Sequence, residues 1–164
     1  MKFTCEKALL QSAIVTASRA VSPKSTIPAL EGLLLEAEDS GNVFITGYNQ
    51  ETGIRSAVQA DVQESGSMVL PARLFGDIIR RLPEGPVTVM VDDNFKVSIR
   101  AGYASFAISA ESSEDYPELP DVNDGTITRI PQNKLKELIS GTIFAVSENQ
   151  GRPIHTGVKF EVGD

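Results

Sequence analysis

An internal repeat constrains the fold of this 164-residue chain more than any other feature of its sequence. When each residue of segment 5–39 is compared with the residue 125 positions later, nine of the 35 pairs are identical. Ordinary residue usage would give roughly two identical pairs by chance. The identical pairs are Leu10/Leu135, Ile14/Ile139, Ala20/Ala145, Val21/Val146, Ser22/Ser147, Pro28/Pro153, Gly32/Gly157, Glu36/Glu161 and Asp39/Asp164. The repeat predicts a strand–helix–loop–strand opening used twice, with the second copy ending just past its second strand.

Hydrophobic periodicity predicts the positions of the helices and strands in this repeated arrangement. Apolar residues spaced three and four apart predict helices at 6–21, 72–82 and 132–148. Alternating apolar residues between turn signals predict about eight strands in the first copy, at 2–5, 30–38, 43–48, 51–62, 67–70, 87–91, 95–100 and 104–109. We therefore expect an α+β fold, with two helices packed on antiparallel sheets in one complete repeat, followed by the start of a second repeat.

The composition changes between the two copies. Segment 111–125 is acidic, contains prolines and has few apolar residues, which is typical of an interdomain linker. We expect a first domain at 1–122, the end of the acidic linker at 123–125, and the truncated start of a second domain at 126–164. The first domain has its own helices and strands and should fold alone, whereas 126–164 is too short to close a sheet.

The charge of the chain is distributed unevenly between its predicted elements. The net charge is −7, which taken alone argues against binding nucleic acid. The three predicted helices, however, contain seven basic and four acidic residues, a sum of +3, so the strands and loops carry −10. Mildly basic helices in an acidic protein indicate a scaffold built around a polyanion.

Catalytic motifs are missing from the sequence. It contains no glycine-rich phosphate loop, no cysteine–histidine metal cluster and no nucleophile elbow. His155 is the only histidine, so a histidine dyad cannot form, and Cys5 is the only cysteine, so an intrachain disulfide cannot form. We expect Cys5 to be a buried strand residue, and we expect neither an enzyme nor a cofactor.

The amino terminus and the hydropathy pattern give an expectation about location. Residues 1–5 read as the start of a strand and not as a secretory leader. No apolar run reaches the roughly 20 residues that span a membrane. We therefore expect a cytoplasmic protein with no membrane partner.

Five motifs carry a specific resemblance over essentially the whole chain. The sequence resembles the amino-terminal part of bacterial DNA polymerase III beta subunits, the sliding clamps. The motifs, in chain order, are Met1-Lys-Phe-Thr, Ile27-Pro-Ala-Leu-Glu-Gly-Leu-Leu-Leu, Leu70-Pro-Ala-Arg-Leu-Phe with Leu82-Pro-Glu-Gly, Asp115-Tyr-Pro-Glu-Leu and Arg152-Pro-Ile-His-Thr-Gly-Val-Lys-Phe.

This resemblance implies a non-catalytic processivity factor. Members of the family have three such domains per chain and form a head-to-tail homodimer, a ring that encircles duplex DNA and tethers the replicative polymerase. Helices line the hole and sheets form the rim. The resemblance also implies clamp loader subunits as partners. The family's groove for polymerases and loaders lies between domains two and three, so it is absent from these 164 residues.

Two sets of site residues follow from the resemblance. The residues expected nearest DNA are Lys24, Arg73, Asn149, Gln150 and Arg152. Some members of the family have aromatic residues just after the position of Arg152, where this chain has Pro153 and Ile154, so base stacking is not expected there. The residues expected at the subunit interface are Leu74, Ile78, Leu82, Phe106 and Ile108. For Ile78 and Leu82 the alternative is a position in the domain's own core.

Two other functions remain open from the sequence. The chain could be a structural or protein-interaction domain with no role on DNA. It could also be a nuclease, but only if the carboxylates of segment 111–125 bind a metal ion, since a two-metal site needs converging acidic groups.

Overall fold

The computed structural model describes residues 1–120, 127–149 and 151–162. The chain divides into two compact units, Met1–Pro120 and Asp121–Asp164, which are called the first and second unit. The first unit begins with strand β1 and helix α1, and its remaining elements follow in a regular order. Their bounds are β1 Lys2–Glu6, α1 Lys7–Ala17, β2 Gly32–Ala37, β3 Asn42–Tyr48, β4 Gly53–Gln59, β5 Asp61–Glu64, β6 Gly66–Pro71, α2 Ala72–Arg81, β7 Pro86–Val91, β8 Lys96–Ala101 and β9 Ala104–Ser109.

The strands form two antiparallel sheets. The five-stranded sheet has the order β5-β1-β7-β8-β9, and the four-stranded sheet has the order β4-β3-β2-β6. Helices α1 and α2 bury their apolar faces in one core with the inward faces of both sheets. Phe3, Leu10, Leu35, Ile45 and Phe75 are among its fully buried residues. The expected α+β fold, with two helices on antiparallel sheets, is confirmed.

The sequence of helix α2 explains where the helix starts, which face it buries and how its last turn is stabilised. Strand β6 runs directly into it through Pro71, whose fixed φ suits a helix start. Phe75, Ile78 and Ile79 lie on one face and are buried. Arg80 and Arg81 occupy the last turn, where positive charge interacts favourably with the helix dipole. Its observed end, Arg81, is one residue before the predicted end.

The predicted strand at 51–62 is wrong as a single element. It is two strands, β4 and β5, which belong to different sheets. The break is at Ala60, whose backbone N–H donates to the carbonyl of Gly41 (2.9 Å) instead of continuing a ladder. The alternation of apolar residues runs through the break, because both strands face the same core. The first unit therefore has nine strands instead of about eight.

The repeat is visible in the helical elements of the second unit. Helix α3 spans Gln132–Ser140, and short 3₁₀ turns span Ile143–Ala145 and Pro153–His155. Each begins 125 residues after its counterpart in the first unit, where α1 begins at Lys7 and 3₁₀ turns span Ser18–Ala20 and Pro28–Glu31. The helix predicted at 132–148 is thus too long, because the chain leaves the α-helix at Gly141 as α1 does after Ala17.

The strands expected in the second copy are not formed in its described residues. Neither 127–131 nor 157–162 is in a strand. A strand needs a hydrogen-bonding partner along its edge, and most of the sheet that supplies such partners in the first unit comes from 40–109. Among the described residues, 127–131 and 157–162 have no such partner strand, so neither forms a ladder.

The acidic segment is not a free linker over its first half. Glu111 exchanges two backbone hydrogen bonds with Val69 of β6 (2.9 and 3.0 Å). Tyr116 is buried in a small cluster with Ala29, Leu30 and Tyr48. Residues 111–119 therefore pack against the first unit. The exact boundaries 1–122, 123–125 and 126–164 remain a proposal, because residues 121–126 lie outside the described ranges.

The packing of segment 111–119 against the first unit predicts where a protease will cut first. Segment 111–119 is held by a buried tyrosine and by strand-like hydrogen bonds, so it should resist cleavage although it is acidic and contains prolines. We expect brief digestion with proteinase K to cut first after Pro120 and to leave a resistant fragment of the first unit, identified by intact mass. A first cut within 72–109 would contradict the proposed domain arrangement.

Candidate functional site

Lys24 lies in an ordered loop between two 3₁₀ turns. The loop covers residues 21–27, and local hydrogen bonds fix it. The Ser22 hydroxyl donates to the carbonyl of Lys24 (2.7 Å), and the Ser25 N–H donates to a carboxylate oxygen of Glu31 (3.1 Å). The Ile27 N–H donates to the Ser25 hydroxyl (3.1 Å). The Lys24 side chain is exposed, so the loop presents a positive charge to solvent.

Arg73 lies in the first turn of α2 and borders the same part of the first unit. Arg73 lines a cavity of about 610 Å³, and so do Ser22 and Pro23, which directly precede Lys24. Arg73 is exposed. Arg73 and the loop that carries Lys24 therefore border one cavity, although Lys24 itself is not among the residues that line it.

Ion pairing distinguishes Lys24 and Arg73 from other basic residues of the first unit. Within the described residues no carboxylate pairs with Lys24 or Arg73. Arg80, in contrast, pairs with Asp77 one helical turn away (2.7 Å). Unpaired basic side chains on a chain with a net charge of −7 are free to contact an external anion.

Lys7 is one of the seven basic residues counted in the predicted helices, but it does not belong to a basic surface. Lys7 is buried, its ammonium donates to Glu84 (2.7 Å), and its backbone N–H donates to Gly85 (3.0 Å). The long apolar stem of a lysine can cover core atoms while its charge reaches a carboxylate. Lys7 therefore joins α1 to the turn after α2 and adds nothing to the basic surface.

The second unit carries its candidate residues in the equivalent loop. Asn149 is 125 residues after Lys24, so both occupy the segment between the two 3₁₀ turns. The Asn149 side chain accepts a hydrogen bond from the Gly151 N–H (2.9 Å), and Arg152 is exposed. Gln150 lies outside the described residues. The role of all five residues on DNA remains a prediction.

Strand β9 supplies the predicted interface surface. It lies at one edge of the five-stranded sheet and pairs only with β8 among the described residues, so one side of its backbone is unpaired. An exposed strand edge can extend another sheet. Phe106 on this strand is 39% exposed and Leu74 on α2 is 48% exposed, while Ile108 is partly buried against the core.

Ile78 and Leu82 are core residues of the first unit. Their exposed fractions are 7% and 3%, and both belong to the main core cluster with Phe75 and Ile79. The alternative given above for these two positions therefore describes them in this chain. Of the five predicted interface residues, Leu74, Phe106 and part of Ile108 remain exposed and available to a partner.

Other chemical sites are weakly supported in the described residues. No group of three or more His, Cys, Asp or Glu residues in those ranges could hold a metal ion. Burial, together with a smaller contribution from the neighbouring Glu6 carboxylate, raises the pKa of the Cys5 thiol to about 12, so the thiolate form is disfavoured. Among the same residues, no helix combines the length and the apolar character needed to cross a bilayer.

Comparisons with known proteins point to one family. Residues 1–120 match the family described as DNA polymerase III beta subunit, N-terminal domain. The chain is 36% identical to the beta sliding clamp of Bacillus subtilis and 34% identical to that of Halalkalibacterium halodurans. These matches cover 99% and 100% of the chain but only 45% of each relative. The chain thus spans less than half the length of the curated relatives it matches.

Solved structures give the same result. The crystal structure of the DNA polymerase sliding clamp from Bacillus subtilis matches with a TM-score of 0.86 at 34% identity, covering 94% of this chain and 42% of that one. The beta subunit from DNA polymerase of Streptococcus pyogenes matches with a TM-score of 0.86 at 28% identity, also covering 94% and 42%.

Proposed function

Because this chain belongs to the family of DNA polymerase III beta subunits, we propose that it is the amino-terminal part of a sliding clamp. The clamp would encircle duplex DNA and tether a replicative polymerase, without catalysis and without sequence preference. The observation that carries the proposal is the exposed pair Lys24 and Arg73. Neither has a carboxylate partner in the described residues, and Arg73 lines a cavity that Ser22 and Pro23, next to Lys24, also line.

The chemistry of this pair fits a ligand that must be held and still slide. Phosphate contacts from basic side chains attract DNA but carry no sequence information. A protein that moves along a duplex needs few and weak contacts of this kind, because tight ones would stop it. Two exposed cations in the first unit, with Asn149, Gln150 and Arg152 in the second, would supply such a modest attraction, partly through bridging water.

The same proposal assigns the β9 edge to the subunit interface of the complete protein. A neighbouring chain would pair with the free side of β9 and cover Leu74, Phe106 and the exposed part of Ile108. The complete protein would be a homodimeric ring in the cytoplasm that works with polymerase and clamp loader subunits. The groove for those subunits would lie outside the 164 residues.

DNA binding by the chain tests the proposal. Without a closed ring, we expect weak binding to any duplex sequence, measured by fluorescence anisotropy of a labelled 30-base-pair DNA. Neutralising two or three phosphates should give a log–log salt slope of about −2 to −3. The double variant Lys24→Glu and Arg73→Glu should abolish this binding without affecting the fold, because both side chains are exposed.

A matched variant controls for net charge. Lys2→Glu with Arg100→Glu changes the charge by the same amount on the outward face of the five-stranded sheet, where both residues line a different cavity. This control should retain most of the binding. Binding that is tight or sequence-specific at physiological salt, or that both double variants weaken equally, would contradict the roles given to Lys24 and Arg73.

A further inference from the structure

The outward face of the five-stranded sheet is basic, although the chain has a net charge of −7. Lys96 and Arg100 lie on the outward side of β8, because the alternate residues of that strand are buried. Lys2 lies on the same side of the sheet, on β1. Strands β7, β8 and β9 contain no acidic residue, and β1 contains one, Glu6, at its end. The surface that carries Lys2, Lys96 and Arg100 is called the basic face.

A cavity of about 430 Å³ lies on the basic face, and its volume is in the range of ligand-binding pockets. The pairing of the strands explains which side chains meet there. Lys2 is opposite Met90, and in the next row Thr4 is opposite Thr88, which is opposite Arg100. The lining is polar except for one methionine and includes no acidic residue; it consists of Lys2, Thr4, Gln63, Thr88, Met90, Ser98 and Arg100.

The two cations of this cavity are not neutralised within the described part of the chain. Neither Lys2 nor Arg100 forms an ion pair with a described carboxylate. Glu64 on the adjacent strand β5 pairs instead with the amino-terminal ammonium of Met1 (3.7 Å). A ligand that fits this cavity must therefore bring the negative charge itself.

Thr4 and Thr88 add a hydrogen-bond donor beside these cations. Their hydroxyl oxygens are 2.9 Å apart and share one hydrogen bond. Each hydroxyl has one hydrogen and the shared bond uses only one of the two, so the other hydrogen has no acceptor among the described residues. A free donor next to an ammonium and a guanidinium favours a ligand group that is anionic and only accepts hydrogen bonds, as a carboxylate does.

The spacing of the two cations favours an extended peptide as the carrier of such carboxylates. Lys2 and Arg100 are two strands and one row apart, which places their backbones about 12 Å from each other. An extended peptide advances about 3.3 Å per residue, so acidic residues three positions apart are about 10 Å apart and within reach of both side chains. The convex backbone of a DNA duplex, in contrast, would contact the rim of the cavity without entering it.

We propose that the basic face is the docking surface for an acidic peptide segment of a protein partner. Two carboxylates of the peptide would pair with Lys2 and Arg100, and the free threonine hydroxyl would donate to one of them. An apolar peptide side chain between them would lie on Met90, which is 39% exposed. Lys96, on the same face, would attract further acidic residues. The surface uses none of the residues assigned to DNA, so the two proposals stand or fall separately.

Titration of the ¹⁵N-labelled chain with a peptide tests the proposal. The probe is acetyl-Gly-Glu-Leu-Ser-Glu-Gly-amide, whose glutamates are three positions apart, and its partner probe has glutamine in place of both. We expect the glutamate peptide to shift the amide signals of Thr4, Thr88 and Arg100, and the glutamine peptide to leave them unchanged.

A double variant and its control separate this surface from general attraction. Lys2→Glu with Arg100→Glu should weaken peptide affinity at least about tenfold, since two attractive ion pairs become repulsive. Arg19→Glu with Lys136→Glu makes the same change of charge at two exposed positions outside the cavity, and should leave the affinity unchanged. The first variant should keep most of its duplex binding, so a failure of this proposal is distinguishable from a failure of the DNA proposal.

A third variant tests for direct contact. Thr88→Val keeps the shape and the charge and removes one hydroxyl, so it should weaken the affinity about threefold while the fold is retained. An unchanged affinity of this variant would contradict a built site. Equal weakening by the Arg19 and Lys136 control, acetate binding as tightly as the peptide, or no binding at millimolar peptide would each overturn the proposal. A short duplex that shifts the same three amides more strongly than the peptide would overturn it too, in favour of nucleic acid.

Discussion

Replacing Phe75 with alanine is expected to lower the free energy of unfolding of the first unit by about 3–5 kcal/mol. Phe75 is fully buried on the inner face of α2, in the core that both sheets share. Truncation removes its buried ring and leaves a cavity that rigid strands on two sides cannot close. Urea denaturation followed by tyrosine fluorescence measures the effect cleanly, because all three tyrosines, Tyr48, Tyr103 and Tyr116, lie in the first unit.

Leu74, one residue earlier on the same helix, is the matched control. It is about half exposed, so Leu74→Ala should cost about 1 kcal/mol or less. The two variants also separate stability from assembly, since Leu74 belongs to the proposed subunit interface and Phe75 does not. Comparable losses at both positions would mean that α2 is oriented differently from the structure described above.

Replacing Gly47 with alanine is expected to destabilise the first unit by about 3 kcal/mol. A β-carbon built at Gly47 on β3 would lie 2.1 Å from the carbonyl oxygen of Ala17 and 3.1 Å from a methyl group of Val21. The first of these contacts is with backbone, at the point where α1 passes into its 3₁₀ turn. Relief requires moving the end of the helix away from the sheet, and the same denaturation experiment measures the cost.

Gly76 provides the corresponding control for glycine replacement. It lies inside α2, where a β-carbon would meet only a methyl group of Ile14 at 3.4 Å. Alanine favours the helix over glycine by up to about 1 kcal/mol, so Gly76→Ala should be neutral or slightly stabilising. A stable Gly47→Ala protein would show that the contact between α1 and β3 is looser than the structure indicates.

Elements with a clear period were predicted well from the sequence. Strand β9 has the predicted bounds, 104–109, and α2 differs from its prediction by one residue. Both have apolar residues on one face and strong boundary signals at each end. The errors occur where tertiary contacts override the local pattern. The backbone N–H of Ala60 bonds the carbonyl of Gly41, which interrupts the predicted strand. Lys7 can be buried because its ammonium pairs with the Glu84 carboxylate.

The candidate sites were predictable to different degrees. Exposure of Lys24 and Arg73 follows from their charge. The cavity that Arg73 shares with Ser22 and Pro23 could not be predicted, because it depends on tertiary packing between the 21–27 loop and α2. Burial of Ile78 and Leu82 could not be separated from an interface role by periodicity, because a core face and a partner face have the same apolar spacing.

The helix and the 3₁₀ turns that recur 125 residues apart have a consequence for how the sequence of such a protein can evolve. Helix and 3₁₀ turns recur in the same order, while the loop between the turns presents Lys24 in one unit and Asn149 in the other. A duplicated scaffold thus separates the residues that set shape from those that set charge. Under the proposed function, substitutions in either loop would change the attraction to DNA one residue at a time, without disturbing the fold around them.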